Sequence, residues 1–250
     1  MDVEEPCYDL DELARANWHV HGFFSGCEEM TLPAIVSGAE AAGLHTVAIT
    51  DHHGVSWDED VAGFARKLRA EFEGIETQVR FLFGAELSAF GVGKFLDPIE
   101  VNRQLDYRLY ACNHYHLGGW EHPEDRSPRG YAEHALAVVR SLLPTGRADC
   151  IAHPFEMEPV HNVLPDHHAA TRAITDQELG DVLELGRRQG VAWGLNAQVL
   201  GDDPELSRRL WEIGREVGVT FRLGTDAHEL VHLDPHPFLP MLKALLDGKE

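Results

Sequence analysis

Imidazoles and carboxylates recur in this 250-residue chain wherever an apolar run ends: His19-Val20-His21, Thr50-Asp51-His52-His53, Gly84-Ala85-Glu86, Asn113-His114-Tyr115-His116, Ala152-His153-Pro154 and Gly224-Thr225-Asp226-Ala227-His228. Mixed nitrogen and oxygen ligands of this kind suit zinc, manganese or iron, so the pattern points to a hydrolase that holds several metal ions. Residues i and i+2 of a strand face the same side, so His19 and His21 can grip one ion; Asp226 and His228 close the last strand two residues apart. A single HxH pair is more often incidental, but six such motifs in step with strand ends are not. Glu86 closes the run FLFGA, where a carboxylate is costly to bury unless it is paired or metal-bound, the competing reading being a solvated strand end. If bound, it can bridge two cations. His52 and His114 are read as ligands, and His53 and His116 as loop residues. His161, His167, His168, His232 and His236 fall in loop-like tracts and read as surface histidines.

Seven apolar segments rich in β-formers must position these groups, at about 16–21, 45–51, 80–86, 106–113, 149–153, 191–197 and 219–226. Helical spacing lies between most of them, over Thr31–Ala42, Asp58–Phe72, Arg129–Leu143, Thr175–Gln189 and Pro204–Val217. The first opens Thr-Leu-Pro and stops before Gly43, and Thr175 and Asp203 are N-caps for the last two. Strand and helix in alternation imply parallel strands joined by right-handed crossovers. The expected fold is therefore an α/β, distorted (β/α)7-type barrel, one domain over 1–250, with the motifs gathered at its C-terminal mouth. Tracts 87–103, 115–130 and 156–174 are long enough to form loops around a pocket.

Composition narrows the function. The formal net charge is −21, which argues against a long nucleic acid, since such binding depends on Lys and Arg neutralising phosphates. A small phosphate ester is compatible with it, because divalent cations make a pocket locally positive. No run of about 18 apolar residues is present to span a bilayer, and the N-terminus is acidic where a signal peptide is basic, so a cytoplasmic protein without membrane association is expected. Cys7, Cys27, Cys112 and Cys150 lack CxxC spacing and are read as free thiols. Nothing in the sequence sets an oligomeric state.

Together the motifs, running in order from residue 19 to residue 228, resemble the PHP family, the metal-dependent phosphoesterases named after polymerase and histidinol phosphatase domains. The stretch DYRLYACNHYHLGGW at 106–120 is similar to the histidinol-phosphatase branch, with His116 as an extra residue. The resemblance implies a distorted (β/α)7 barrel with up to three metals. It further implies that His19, His21, Glu86 and Asp226 hold one ion, that Glu86, His114 and His153 hold a second, and that His52 and His228 hold a third. Where that branch has another histidine six residues after HxH, this chain has Cys27, followed by Glu28. Either residue could complete the third site, or the enzyme could work with two ions.

Phosphomonoester hydrolysis asks an enzyme for on the order of 20 kcal/mol. Three divalent cations less two ligand carboxylates leave a site of about +4, suited to a dianionic phosphate. The expected chemistry is in-line attack by a hydroxide bridging the Glu86-linked ions, with Glu86, Asp226 and His228 as the catalytic set. Arg129 and Arg172 are candidates to clamp phosphate, against the reading that they are solvated surface arginines. The expected reaction is hydrolysis of a small phosphomonoester, with L-histidinol phosphate the first candidate by resemblance. Alternatives are a PHP-type nucleotide or oligonucleotide phosphoesterase, an amidohydrolase, and a metal-binding barrel without turnover.

Overall fold

The computed structural model describes residues 6–54 and 60–248. Its strands are β1 (Ala16–Val20), β2 (Thr46–His53), β3 (Arg80–Gly91), β4 (Lys94–Phe95), β5 (Arg108–Ala111), β6 (Cys150–Ile151), β7 (Ala192–Asn196) and β8 (Phe221–Gly224). Its α-helices are α1 (Leu10–Leu13), α2 (Leu32–Ala41), α3 (Val61–Phe72), α4 (Ile99–Asn102), α5 (Pro128–Leu142), α6 (His168–Arg172), α7 (Asp176–Gln189), α8 (Pro204–Val217) and α9 (Leu239–Leu246). The sheet runs β1-β2-β3-β5-β6-β7-β8 with every pair on that path parallel, and β4 is an antiparallel flap on β3. This is the seven-stranded α/β barrel expected from the alternation of elements.

The barrel closes by side chains more than by a ladder. Beyond one parallel bridge between Val20 and Ala227, the Asn17 amide donates to Thr225 Oγ1 (2.6 Å) and to the Leu233 carbonyl (2.9 Å), and its oxygen accepts from the Thr225 N–H (3.1 Å). That buried amide ties β1 to the start of the GTDAH turn. Helix starts follow the caps read from sequence: Thr31 precedes α2, Asp203 accepts from the Leu206 N–H ahead of α8, and Thr175 forms a capping box with Glu178 at α7. Helix α7 stops where Gly190 turns left-handed at φ 70°.

Apolar side chains divide between two layers. Ile49, Leu87, Ile151, Trp193, Leu195 and Leu223 belong to the large cluster between sheet and helices. Their alternates Ala48, Tyr107, Leu109, Cys150, Ala152 and Ala192 form a small inner cluster with Trp18 and Leu82, as the two-residue period of a strand requires. A void of about 10 Å³ is shared by residues of β1, β5, β6, β7 and β8, a set only the inside of a barrel can bring together.

The structure departs from the sequence reading at two loops. Tract 87–103 is mostly ordered: β3 continues to Gly91 and pairs with β4, and α4 follows. Tract 156–174 carries α6 and a short 3-10 turn at Glu158–Val160. The expected helix 58–72 begins at Val61 with Asp60 as its cap, its first two positions lying outside the described residues. Among the described residues no helix is long and apolar enough to cross a membrane, and all four cysteines are free thiols.

Candidate metal centre

Seven of the eight histidines and carboxylates read as ligands lie at or just past the C-terminal ends of β1, β2, β5, β6 and β8, where a parallel barrel presents its mouth; Glu86 lies inside β3, level with the end of β2. At the centre is Glu86 of β3, 3% exposed, placed beside His52 of β2 by the register of the two strands. One Glu86 oxygen is 3.0 Å from His153 Nε2, 3.6 Å from His19 Nε2 and 3.7 Å from His114 Nε2. The other is 3.5 Å from His52 Nε2 and 3.8 Å from His21 Nε2. On the far side of the His pair, Asp226 Oδ1 is 2.8 Å from His21 Nε2 and 3.3 Å from His19 Nε2, while those two nitrogens are 3.0 Å apart. The rings of His52 and His228 both lie against that of His21, with centroids at 3.9 and 4.1 Å, and are 5.2 Å from each other.

Convergence this tight has a backbone cause. Gly224 of β8 lies against β1, and a Cβ there would stand 2.6 Å from that of His19; glycine lets the first and last strands meet at the ligands. His153 and Asp226 have φ of 27° and 54°, and Phe155 of 64°. Such conformations cost on the order of 1–3 kcal/mol each for non-glycine residues and gather at functional sites.

Whether these residues suit a metal is decided by their outer nitrogens. His153 Nδ1 lies 3.1 Å from Asn113 Oδ1, His228 Nδ1 lies 2.9 Å from the Asp226 carbonyl, and His21 Nδ1 lies 3.2 Å from Ser25 Oγ. The Ser25 hydroxyl donates to Asp51 Oδ1 (2.6 Å) and accepts from the His52 N–H (3.0 Å), so toward His21 it is an acceptor. Acceptors at Nδ1 hold the proton there and turn the Nε2 lone pair inward, as in metal sites. Burial, helped by the charge of His52, pushes His21 down to about 3, and burial pushes His114 down to about 4. Both are therefore neutral, the form that ligates. His153 goes up to about 9, its burial outweighed by the Glu86 carboxylate. Glu86 is held well below the usual carboxylate range, the surrounding imidazoles overcoming burial. One carboxylate facing five imidazole nitrogens, with two Nε2 atoms nearly in contact, is a donor set built for cations.

Three trios of ligand atoms converge closely enough for an ion: His21 with His52 and His228, His19 with His21 and Asp226, and His19 with Glu86 and His153. Cys27 and Glu28 are in none of these; Cys27 is half-buried, its thiol pushed up by burial and by Asp51 and Asp226, and Glu28 is exposed. Arg129 and Arg172 sit away from the cluster. Arg129 is engaged by Glu178, Glu133 (2.8 Å) and the Ala173 carbonyl (2.8 Å), and Arg172 by Asp166 (2.7 Å). The sequence reading passed over Ser25 and left Asp51 unassigned, although Asp51 falls within the TDHH motif.

Beside the cluster opens a cavity of about 270 Å³, whose lining includes His114, His153, Asp226, Glu156, Asp202 and His167. Burial pushes the Glu156 carboxyl up to about 8, with Asp226, Asp202 and Glu158 adding to the effect against His153.

No family model matches the chain. A probable phosphatase of Aliivibrio fischeri (strain ATCC 700601 / ES114) is 25% identical over 217 residues, 84% of this chain and 76% of that protein. A probable phosphatase of Vibrio parahaemolyticus is 24% identical over 221 residues, 84% of this chain and 76% of its own length. Among solved structures, the histidinol phosphate phosphatase of Lactococcus lactis, complexed with zinc, L-histidinol and phosphate, superposes with a TM-score of 0.60 at 17% identity, covering 90% of this chain and 91% of that one. The putative histidinol phosphatase of Listeria monocytogenes gives 0.55 at 12% identity, covering 87% and 96%. These likenesses agree with the barrel fold.

Proposed function

We propose that the chain is a metal-dependent phosphatase of the PHP type, closest to the histidinol-phosphatase branch, that hydrolyses a small phosphomonoester. The observation that carries the reading is the buried Glu86 carboxylate with five imidazole Nε2 atoms at 3.0–3.8 Å. His19, His21, Glu86 and Asp226 would hold one divalent ion, Glu86, His114 and His153 a second, and His52 with His228 a third; zinc, manganese and iron all suit these ligands. Bound there, such ions supply positive charge for the phosphate and water acidified into a nucleophile. The chain's own part is orientation. Asn113, Ser25 and the Asp226 carbonyl keep ring protons on the outer nitrogens, while Asp226 and His228 have side chains 26% and 45% exposed and reach the solvent side, where substrate enters.

The names of the sequence relatives support the phosphatase class, and L-histidinol phosphate is the first substrate to test. A nucleotide reading is disfavoured by the adjoining cavity, whose lining includes neither lysine nor arginine. Elemental analysis coupled to phosphate release from histidinol phosphate, nucleotides and para-nitrophenyl phosphate, before and after chelation, tests the proposal. Two or three metals per chain with chelator-sensitive release are expected. Bound metal without release from any ester would favour a barrel that binds ions without turnover.

A further inference from the structure

Of the strands on the barrel path, β7 is the one that supplies none of the residues read as ligands. Its last residue is Asn196, 4% exposed, and the Asn196 side chain meets the GTDAH turn that follows the neighbouring strand, β8. Asn196 Nδ2 donates to Asp226 Oδ2 (3.2 Å), and Asn196 Oδ1 accepts from the Gln198 N–H (3.1 Å). A backbone N–H can only donate, so the amide is fixed with its oxygen toward Gln198 and its nitrogen toward the carboxylate. The two Asp226 oxygens are set apart as a result: Oδ1 lies 2.8 Å from His21 Nε2 and 3.3 Å from His19 Nε2, whereas Oδ2 is engaged by Asn196. Gln198 works on the backbone of the same turn. Its Nε2 donates to the Thr225 carbonyl and, at 3.3 Å, to the Asp226 carbonyl, which is also the acceptor that His228 Nδ1 meets at 2.9 Å. The turn needs such support, because Asp226 at φ 54° is in a conformation that persists only where its surroundings over-determine it.

We propose that Asn196 and Gln198 are positioning residues of the metal centre: Asn196 leaves Asp226 one oxygen for the ion it shares with His19 and His21, and Gln198 steadies the carbonyl that orients His228. The inference rests on the metal-dependent reading above and gives a task to the strand that contributes no ligand. The terminal torsion of an aspartate is broad, so without the amide the carboxylate is free to turn and to offer either oxygen or both. The choice of neutral amides follows from the charge at the mouth. A lysine or arginine at these positions would compete with the cations for Asp226, and a further carboxylate would become a ligand itself. An amide orients the ligand and leaves the charge of the site unchanged.

The test titrates metal by calorimetry into chelator-stripped wild type, Asn196→Leu and Gln198→Ala, and records the visible spectrum of each protein loaded with Co(II). Leucine keeps the branched shape of asparagine without its hydrogen bonds, and Gln198 is half-buried, so its truncation leaves the core intact and decides the case if N196L does not fold. Loss of an outer partner of a metal ligand corresponds to about 10- to 100-fold in affinity. N196L is expected to weaken one ion by that factor while the others keep their affinity. Its Co(II) absorption should also fall, as Asp226 binds through both oxygens and the coordination number rises. Q198A should weaken binding by about tenfold, the lower end of that range. A variant whose isotherm and spectrum both match the wild type strikes its residue from the assignment, even at a lower Tm, since a purely structural amide costs stability alone. If the wild type takes up metal but hydrolyses no ester, the phosphatase reading falls and the isotherms still decide the role of Asn196; a wild type that takes up no metal overturns both.

Discussion

At the mouth of the barrel Glu86 is surrounded by five imidazoles, whereas at the floor the polar group is Arg222, whose guanidinium lies 3.9 Å over the Trp18 ring and 5.1 Å over Tyr107. Both ends bury charge inside one ring of strands. The floor settles it with what the chain supplies, a cation stacked on two aromatic faces above the Cys150 thiol. The mouth leaves lone pairs crowded together, and it holds all the non-glycine residues of positive φ among those described, His153, Phe155 and Asp226. Stability has been given up at one end and kept at the other. If cations balance the mouth, as proposed, the two ends should answer differently to mutation, pH and metal.

The sharpest way to break this contrast is Glu86→Gln. Removing an outer hydrogen-bond partner of a metal ligand costs about 10- to 100-fold, and the central carboxylate should cost more, on the order of 10³-fold in kcat/KM. Elemental analysis should show reduced metal in the same variant. Retained metal and turnover together would defeat the bridging role of Glu86.

Ser25→Ala probes the support rather than the ligand. Its hydroxyl links Asp51, the His52 N–H and His21 Nδ1, so its loss frees the His21 tautomer and should weaken metal binding or turnover by about 10- to 100-fold. Ser25→Thr, which restores a hydroxyl, should recover most of the loss. Equal metal titrations for wild type and Ser25→Ala would show that Asp51 and the backbone suffice.

How much of this could be read in the chain follows from what strands reveal. A ligand at a strand end advertises itself by an abrupt polar residue after an apolar run, and that is why His19, His52, Glu86, His114 and Asp226 stood out. Helix boundaries were legible through caps such as Thr175 and Asp203, whose side chains act on their own helix. Ser25 was not legible, because it works through a turn that folds back on β2, and serine in a glycine-flanked loop is unremarkable. Arg129 looked like an anion clamp because its partner Glu178 lies 49 residues away. Strand β6 is only two residues long; its pairing is set by neighbours more than by its own pattern.

Titration separates apoprotein from loaded protein. His21 and His114, at about 3 and about 4 in the fold, lie below the ordinary histidine value of about 6.5. The unfolded chain therefore binds more protons in that window, and stability rises as pH climbs through it. Glu156, raised to about 8, opposes this from the ordinary glutamate value upward, but is one group against two. Above about 6.5 the sign reverses: the folded state holds the extra proton on Glu156 and on His153, raised to about 9, and their contribution is lost as pH passes those values. Apoprotein melting temperature should peak near pH 6.5 and fall toward pH 9, while the gain on adding metal widens with pH because ions compete with protons for the ligands. A flat apoprotein profile would mean that the mouth relaxes when empty.

The smallest effect on function is expected at the floor. Arg222→Leu removes a cation from two ring faces, contacts worth about 0.5–2 kcal/mol each, and a loss near 1–2 kcal/mol lowers Tm by roughly 2–8 °C in a chain of this size. Leu109, Cys150 and Ala152 pack between this residue and the ligands, leaving a void of only about 10 Å³ whose lining includes His19, His153, Trp18, Tyr107 and Arg222. A layer so well filled holds the imidazoles by packing rather than by the arginine's charge, so metal content and kcat/KM should stay within about twofold of wild type, as for independent sites. A variant that keeps its Tm but loses metal would show that the floor positions the ligands, and the division between a stabilising end and a binding end would have to be abandoned.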